Sequence, residues 1–114
     1  MLAVVAGLSV ALSSGAAAVP GGRLGLRYRC QLEATKLADE ITVTIRLRTD
    51  RSGDEWRIRL LHEGSPIFRT VRRTNDEGDL KVVRVVPNMP GRDDLETRAR
   101  HLETGELCRV VALV

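Results

Sequence analysis

Outside residues 1–18, the chain offers two serines and two histidines for hydrolytic chemistry. Ser52 and Ser65 lie in turn-like sequence, whereas His62 and His101 each close a stretch of largely alternating residues. A serine hydrolase needs a nucleophile, a base and a group that orients the base, and the nucleophile often lies in a Gly-x-Ser-x-Gly turn. Neither serine has that context. We therefore predict no catalytic residues and no enzyme activity, with both histidines buried or capping a strand.

Metal binding has equally little support in the residue spacing. Two histidines are too few for a zinc site, which takes three or four ligands, and they are not spaced to share a helix face. Asp50, Ser52 and Asp54 alternate like the first ligands of a calcium loop. However, Glu55 follows where an EF-hand has glycine, and no glutamate stands at the bidentate position. We predict ordinary turns here, with no metal site and no cofactor.

Arginine is the remaining residue type that could bind a ligand. The chain has a net charge of +3, and acidic residues interleave with the basic ones. If the third and sixth predicted strands are neighbours, four arginines share one solvent face, the arginine face: Arg57, Arg59, Arg98 and Arg100. Such a face could bind acidic polysaccharide, phospholipid headgroups or an acidic protein. The alternative is a solvated sheet face on which Glu55 and Glu96 pair with the arginines. Because no concentrated basic run or nucleic-acid module is present, we predict no nucleic-acid binding.

Apolar residues alternate with polar ones along most of the chain, which is the period expected of half-buried strands. The alternation is clearest at residues 24–32, 41–47 and 56–60, and four further strands are predicted at residues 67–74, 80–86, 95–101 and 107–114. Residues 50–54 predict a hairpin turn between the second and third strands. Residues 80–86 alternate poorly, which indicates a strand covered on both faces. Residues 33–40 favour a single helical turn.

The first 22 residues contain no charged side chain. An apolar run at residues 2–12 is followed by Ala16-Ala17-Ala18, which is typical of a secretory signal peptide and its cleavage site. We predict a cleaved signal peptide at residues 1–18, a short tail at 19–22 and one domain at 23–114, so the mature protein is secreted. The alternative is an uncleaved membrane anchor.

The charges that flank this apolar segment oppose its export. Arg23, Arg27 and Arg29 follow it, whereas no basic side chain precedes it. Because loops rich in arginine tend to stay in the cytoplasm, we expect a start codon upstream of Met1 that supplies the missing basic residues.

Cys30 and Cys108 are the only cysteines in the chain. Both fall on the inward parity of their predicted strands, and no Cys-x-x-Cys is present. In an exported chain a disulfide between them is favoured over two free thiols. Closing so long a loop stabilises a domain by about 4–5 kcal/mol in the chain-entropy model.

Seven short strands, Trp56 and the two cysteines together resemble an immunoglobulin-like or fibronectin-III-like sandwich of the kind found in small secreted bacterial proteins. The resemblance covers residues 23–114 and implies an all-β, seven-stranded antiparallel β-sandwich. In antibody domains the disulfide joins the second and sixth strands, and a tyrosine lies two residues before the later cysteine. Here Glu106 occupies that position. We therefore predict a disulfide that joins the terminal strands, and antibody-type recognition is not implied.

The expected function is that of a secreted, non-enzymatic binding module, monomeric, whose partner is an extracellular protein or an acidic polymer. It would meet the membrane only during export. One alternative is a secreted inhibitor of an extracellular hydrolase, in which the proline-bearing loop at residues 87–94 is inserted into the enzyme. A second alternative is a small-molecule carrier, although Tyr28, Trp56 and Phe68 give few aromatic rings to line a cleft.

Overall fold

The computed structural model describes residues 26–114, so the predicted signal peptide (1–18) and tail (19–22) lie outside the described residues. Within 26–114 the chain forms seven strands, and no helix there is long and apolar enough to cross a membrane. The strands are β1 (Tyr28–Leu37), β2 (Glu40–Thr49), β3 (Glu55–His62), β4 (Ser65–Arg73), β5 (Asp79–Pro87), β6 (Asp94–His101) and β7 (Leu107–Leu113).

The strands form two antiparallel sheets that pack on a shared core. One sheet has the order β1-β2-β5, and the other has the order β4-β3-β6-β7. All neighbouring strands run antiparallel. The prediction of an all-β, seven-stranded antiparallel fold is confirmed.

Alternation along each strand explains the core. In β2, Ile41, Val43, Ile45 and Leu47 are fully buried, whereas the residues between them face outward. The same period of two buries Trp56, together with residues 58 and 60 of β3. Burying such side chains stabilises the fold by about 1.5–3 kcal/mol each, which makes this interior the main source of stability.

The predicted disulfide is present and joins Cys30 of β1 to Cys108 of β7. Both residues are buried, their Cα atoms are 6.2 Å apart, and 78 positions separate them in sequence. Because β1 and β7 are edge strands of different sheets, the bond fastens the two layers along one side of the sandwich. The prediction that the bridge joins the terminal strands is confirmed.

On the opposite side of the sandwich, an arginine lies where the pattern calls for a core residue. Arg84 has the inward parity of β5 but is exposed, and its guanidinium carbon lies 4.2 Å from the centre of the Phe68 ring of β4. β4 and β5 are the other two edge strands. An inward-facing charge on an edge strand discourages pairing with another molecule's strand.

Three local predictions were wrong. Residues 33–37 continue β1 as strand, and the chain reverses in a tight turn at 38–39, where Ala38 has a φ of 56°. The 50–54 segment is not a hairpin, because β2 and β3 belong to different sheets and the segment carries the chain between them. Residues 80–86 are covered on one face only, since Val83 and Val85 are exposed.

Candidate anion-binding face

The register of β3 and β6 brings the four arginines of the arginine face together. Arg57 lies directly opposite Arg100, and Arg59 directly opposite Arg98. These positions alternate with the buried residues of both strands, so their side chains share the outer face of the four-stranded sheet. The condition set by the sequence, that the third and sixth strands are neighbours, is met.

Two further arginines extend this group to both edges of the sheet. Arg69 of β4 is opposite Arg59, and Arg109 of β7 is opposite Arg98. One line across all four strands therefore carries only arginine. We call it the arginine row: Arg69, Arg59, Arg98 and Arg109. Both added residues lie in predicted strands, but the strand order that aligns them with the others could not be read from the sequence.

A cavity of about 160 Å³ opens on this face. Its walls are formed by Arg57, Arg59, Arg69, Arg98, Arg100 and Leu107. Five of the six lining side chains therefore carry guanidinium groups, which offer planar, forked donors suited to carboxylate, sulfate or phosphate.

One carboxylate enters the arginine row from within the chain. A single oxygen of Glu96, Oε2, accepts hydrogen bonds from Arg98 Nε and Arg109 Nε, both at 2.6 Å. Burial raises the pKa of Glu96, but these two guanidinium groups outweigh that and hold the pKa below its ordinary value of 4.5. The same contact raises the pKa of Arg109. Glu96 is thus a charged, firmly held anion.

The other expected acidic partner does not join the face. Glu55 pairs with Arg73 at 3.4 Å rather than with Arg57 or Arg59. Within residues 26–114, four arginines of this group have no carboxylate oxygen within 4.0 Å: Arg57, Arg59, Arg69 and Arg100. Like charges directly opposite one another destabilise a sheet, and an anion bound between them would relieve that repulsion.

The two histidines belong to a second, buried arrangement at the ends of the β3–β6 pair. His62 Nε2 lies 2.7 Å from Asp93 Oδ1, and His101 Nε2 lies 2.7 Å from Asp54 Oδ2. Each strand is preceded by an aspartate and ends on a histidine eight residues later. Because eight is an even number, the aspartate and histidine of one strand lie on the same face. The antiparallel register, with Trp56 opposite His101 and Leu95 opposite His62, then brings each aspartate to the histidine of the other strand. This repeated Asp-x7-His spacing is visible in the sequence, although the predictions from the sequence did not include the pairing.

The His101 ring is held from both sides. Its Nδ1 accepts a hydrogen bond from the backbone N–H of Thr104 at 3.1 Å, so the ring proton is on Nε2, which donates to Asp54. The Thr104 hydroxyl lies 3.0 Å from the same Nδ1 and donates to Glu106. This chain of groups has the composition of a threonine-histidine-aspartate array, but the His101 side chain is only 1% exposed. The ring therefore ties the β6–β7 turn to the start of β3.

Asp93 is the most deeply buried acidic group of the described segment, with an exposed fraction of 0%. Besides His62, it accepts the backbone N–H of Met89 at 3.2 Å. Lys36 Nζ lies 3.2 Å from Oδ2 as an ion pair without hydrogen-bond geometry. Burial raises the pKa of Asp93, but these partners outweigh it and hold the pKa below 3.8.

Each histidine end also gathers three groups that could bind a metal ion. They are Asp54, His101 and Glu103 at one end, and His62, Glu63 and Asp93 at the other. A side-chain cation already lies beside each aspartate, since Arg51 Nε is 3.2 Å from Asp54 and Lys36 is at Asp93. These cations offset the negative charge of the two aspartates.

No protein-family model matches the chain, and no curated protein matches it. The arginine face is therefore interpreted from its own geometry.

Proposed function

We propose that the chain is an exported, non-enzymatic binding module that holds an acidic polymer on its arginine face. The observation that carries the proposal is the convergence of five arginines on one cavity. Four of them, Arg57, Arg59, Arg69 and Arg100, have no carboxylate oxygen within 4.0 Å among residues 26–114. Unpaired charges of one sign that line one cleft create a positive potential, which attracts an anionic ligand.

Export is supported by the disulfide. A disulfide suggests an oxidising environment outside the cytoplasm, because cytosolic thiols are kept reduced. The bond between Cys30 and Cys108 lies in the core and closes most of the domain. The sequence pattern at residues 1–18 agrees with this proposal.

Of the two resemblances drawn from the sequence, immunoglobulin-like and fibronectin-III-like, we propose only the second. In a constant immunoglobulin domain the fourth strand joins the sheet of the first, second and fifth. Here β4 pairs with β3 instead, and the disulfide joins β1 to β7 rather than the second strand to the sixth. The strand order therefore favours the fibronectin-III-like form.

The test is retention of the protein on an immobilised acidic polysaccharide, such as polygalacturonate, over a salt gradient. We expect the double variant Arg57→Gln/Arg98→Gln to elute at clearly lower salt than the wild type. The matched control is Arg29→Gln/Arg48→Gln, which removes an opposed pair of arginines from the outer face of the other sheet. If the two double variants elute at the same reduced salt concentration, retention does not depend on the arginine face in particular, and the proposal fails.

One observation favours a second candidate function, inhibition of an extracellular hydrolase. The loop between β5 and β6 is exposed at residues 89–92, but hydrogen bonds to the rest of the domain hold it in place. Met89 N–H donates to buried Asp93, Asn88 Nδ2 donates to Ala38 O at 2.8 Å, and Lys36 Nζ donates to Gly91 O. A rigid exposed loop can enter an enzyme cleft with little loss of entropy.

This candidate is tested by incubating the protein with secreted proteases. Inhibition that is lost in the Met89→Asp variant would support it. Unchanged protease activity in the presence of the wild-type protein would exclude it.

A further inference from the structure

Among the described residues, the arginine row is the line across this face to which every strand of the sheet contributes an arginine, and Glu96 reaches into it between Arg98 and Arg109. Along β3, the outward residues Arg57 and Arg59 are preceded by Glu55; along β6, Arg98 and Arg100 are preceded by Glu96. A polyanion lying parallel to the strands would therefore meet a carboxylate at each end of the pair. Across the strands, the row runs from edge strand β4 to edge strand β7.

Because both ends of the row lie at sheet edges, a long chain could enter on one side and leave on the other. The row spans three interstrand spacings, about 14 Å at about 4.8 Å each. The neighbouring line of residues is Val71, Arg57, Arg100 and Leu107. Its two ends are apolar and exposed, at 45% for Val71 and 43% for Leu107.

The exposed apolar residues beside the arginine row favour one class of linear polyanion over the others. A polysaccharide carries anionic groups on rings whose C–H faces can pack on residues such as Val71 and Leu107, whereas inorganic polyphosphate has no apolar part. Single-stranded nucleic acid binds through aromatic side chains on which bases stack. In the part of the chain that the structure describes, Tyr28, Trp56 and Phe68 all pack in or against the core.

Glu96 shows how the row holds a carboxylate. Its Oε2 lies between Arg98 and Arg109 on adjacent strands and accepts a hydrogen bond from each. A ligand carboxylate or sulfate at the same place would compete with it. We infer that the ligand is a linear acidic polysaccharide that crosses the sheet at right angles to the strands, along the arginine row, and displaces Glu96 from Arg98 and Arg109.

This inference rests on the proposed function and makes two demands that the proposed function does not. Removing Glu96 must strengthen binding, because Arg98 and Arg109 no longer need to exchange one anion for another. Arg109, which lies outside the cavity, must contribute to binding of a chain long enough to reach it.

The experiment measures affinity for galacturonate oligomers of increasing length, and for heparin as a sulfated chain, by isothermal titration calorimetry. We expect Glu96→Gln to bind long oligomers about fivefold more tightly and Arg109→Gln about fivefold more weakly, as for one exposed ion pair. Glu33→Gln and Arg29→Gln are the matched controls, because they make the same charge changes on the outer face of the other sheet. The Arg109→Gln effect should vanish for a dimer too short to span the row.

The outcomes separate the inference from the proposed function. If the wild type binds but Glu96→Gln matches Glu33→Gln, or Arg109→Gln matches Arg29→Gln, the crossing geometry is wrong and the binding module stands. If neither the wild type nor Glu96→Gln binds any polysaccharide, both fail. Binding to anionic vesicles or to DNA in preference to both polysaccharides would overturn the ligand class while leaving an anion-binding module.

Discussion

The Asp93→Asn substitution should test whether the buried charge cluster holds the end of the β3–β6 pair. It preserves the shape of the side chain but removes the charge that faces His62 and Lys36. Removing one partner of a buried ion pair costs about 3–5 kcal/mol, because the other charge stays buried without compensation. Lys36 is partly exposed and can turn toward solvent, which places the expected loss near the lower end, about 3 kcal/mol.

The matched variant is Asp54→Asn at the other end of the same strand pair. The histidine–aspartate distance is also 2.7 Å there, but the Asp54 side chain is 17% exposed and its cation, Arg51, is 39% exposed. Solvent screens such a pair, so we expect a loss of about 1 kcal/mol. Urea unfolding followed by the fluorescence of Trp56, the only tryptophan, measures both losses.

The loss of stability caused by Asp93→Asn should also depend on pH. Folding lowers the pKa of this carboxyl below 3.8, so the ionised form stabilises the native state. That stabilisation is complete above pH 3.8 and is lost as the pH falls through the lower, folded-state pKa. The amide in the Asp93→Asn variant cannot titrate, so the gap in stability between this variant and the wild type should narrow at acid pH. Equal losses at the two aspartates, or a gap that persists at acid pH, would refute this account.

Two further predictions concern the frame of the fold. Gly78→Ala should destabilise the domain by about 2–4 kcal/mol, since a Cβ there would lie 2.3 Å from Thr49 O and φ is +85°. Gly53→Ala, at a φ of +77° with open space around it, should cost only about 1 kcal/mol. Comparable losses of stability in the Gly78→Ala and Gly53→Ala variants would contradict the steric argument. Cys30→Ala/Cys108→Ala should lower the free energy of unfolding by about 2–5 kcal/mol, measured against oxidised wild type. No difference would mean that the bond does not constrain the unfolded chain.

Most of the fold could be predicted from the sequence because the strands are half-buried. In such strands the alternation of apolar and polar residues is strong, and it also places Cys30 and Cys108 on the inward face. The segment at 33–40 misled the prediction because its helix-forming residues have favourable propensities, whereas pairing with β2 and a left-handed Ala38 decide its conformation. Local preference is weak against a complete ladder of strand pairing.

The candidate site was only partly predictable, for a different reason. Alternation could place Arg57, Arg59, Arg98 and Arg100 on outer faces, but it carries no information about which strands are adjacent. Arg69 and Arg109 join the group only through the order β4-β3-β6-β7. The hydrogen bond from Arg109 to Glu96 joins residues that lie diagonally on the adjacent strands β7 and β6. Residue spacing within one strand cannot show such a contact.

The position of the disulfide bears on how the domain responds to a pulling force. A tension applied to its first and last strands passes from Cys30 directly to Cys108, because the covalent bond is the shortest load-bearing path between them. The chain between these residues, which includes β2 to β6 and both histidine clusters, then carries almost no load. The five cavity arginines lie inside this shielded segment and would stay in place under traction, whereas Arg109, one residue beyond Cys108, would lie on the loaded side. Once the bond is reduced, the same traction would unravel the segment between the two cysteines.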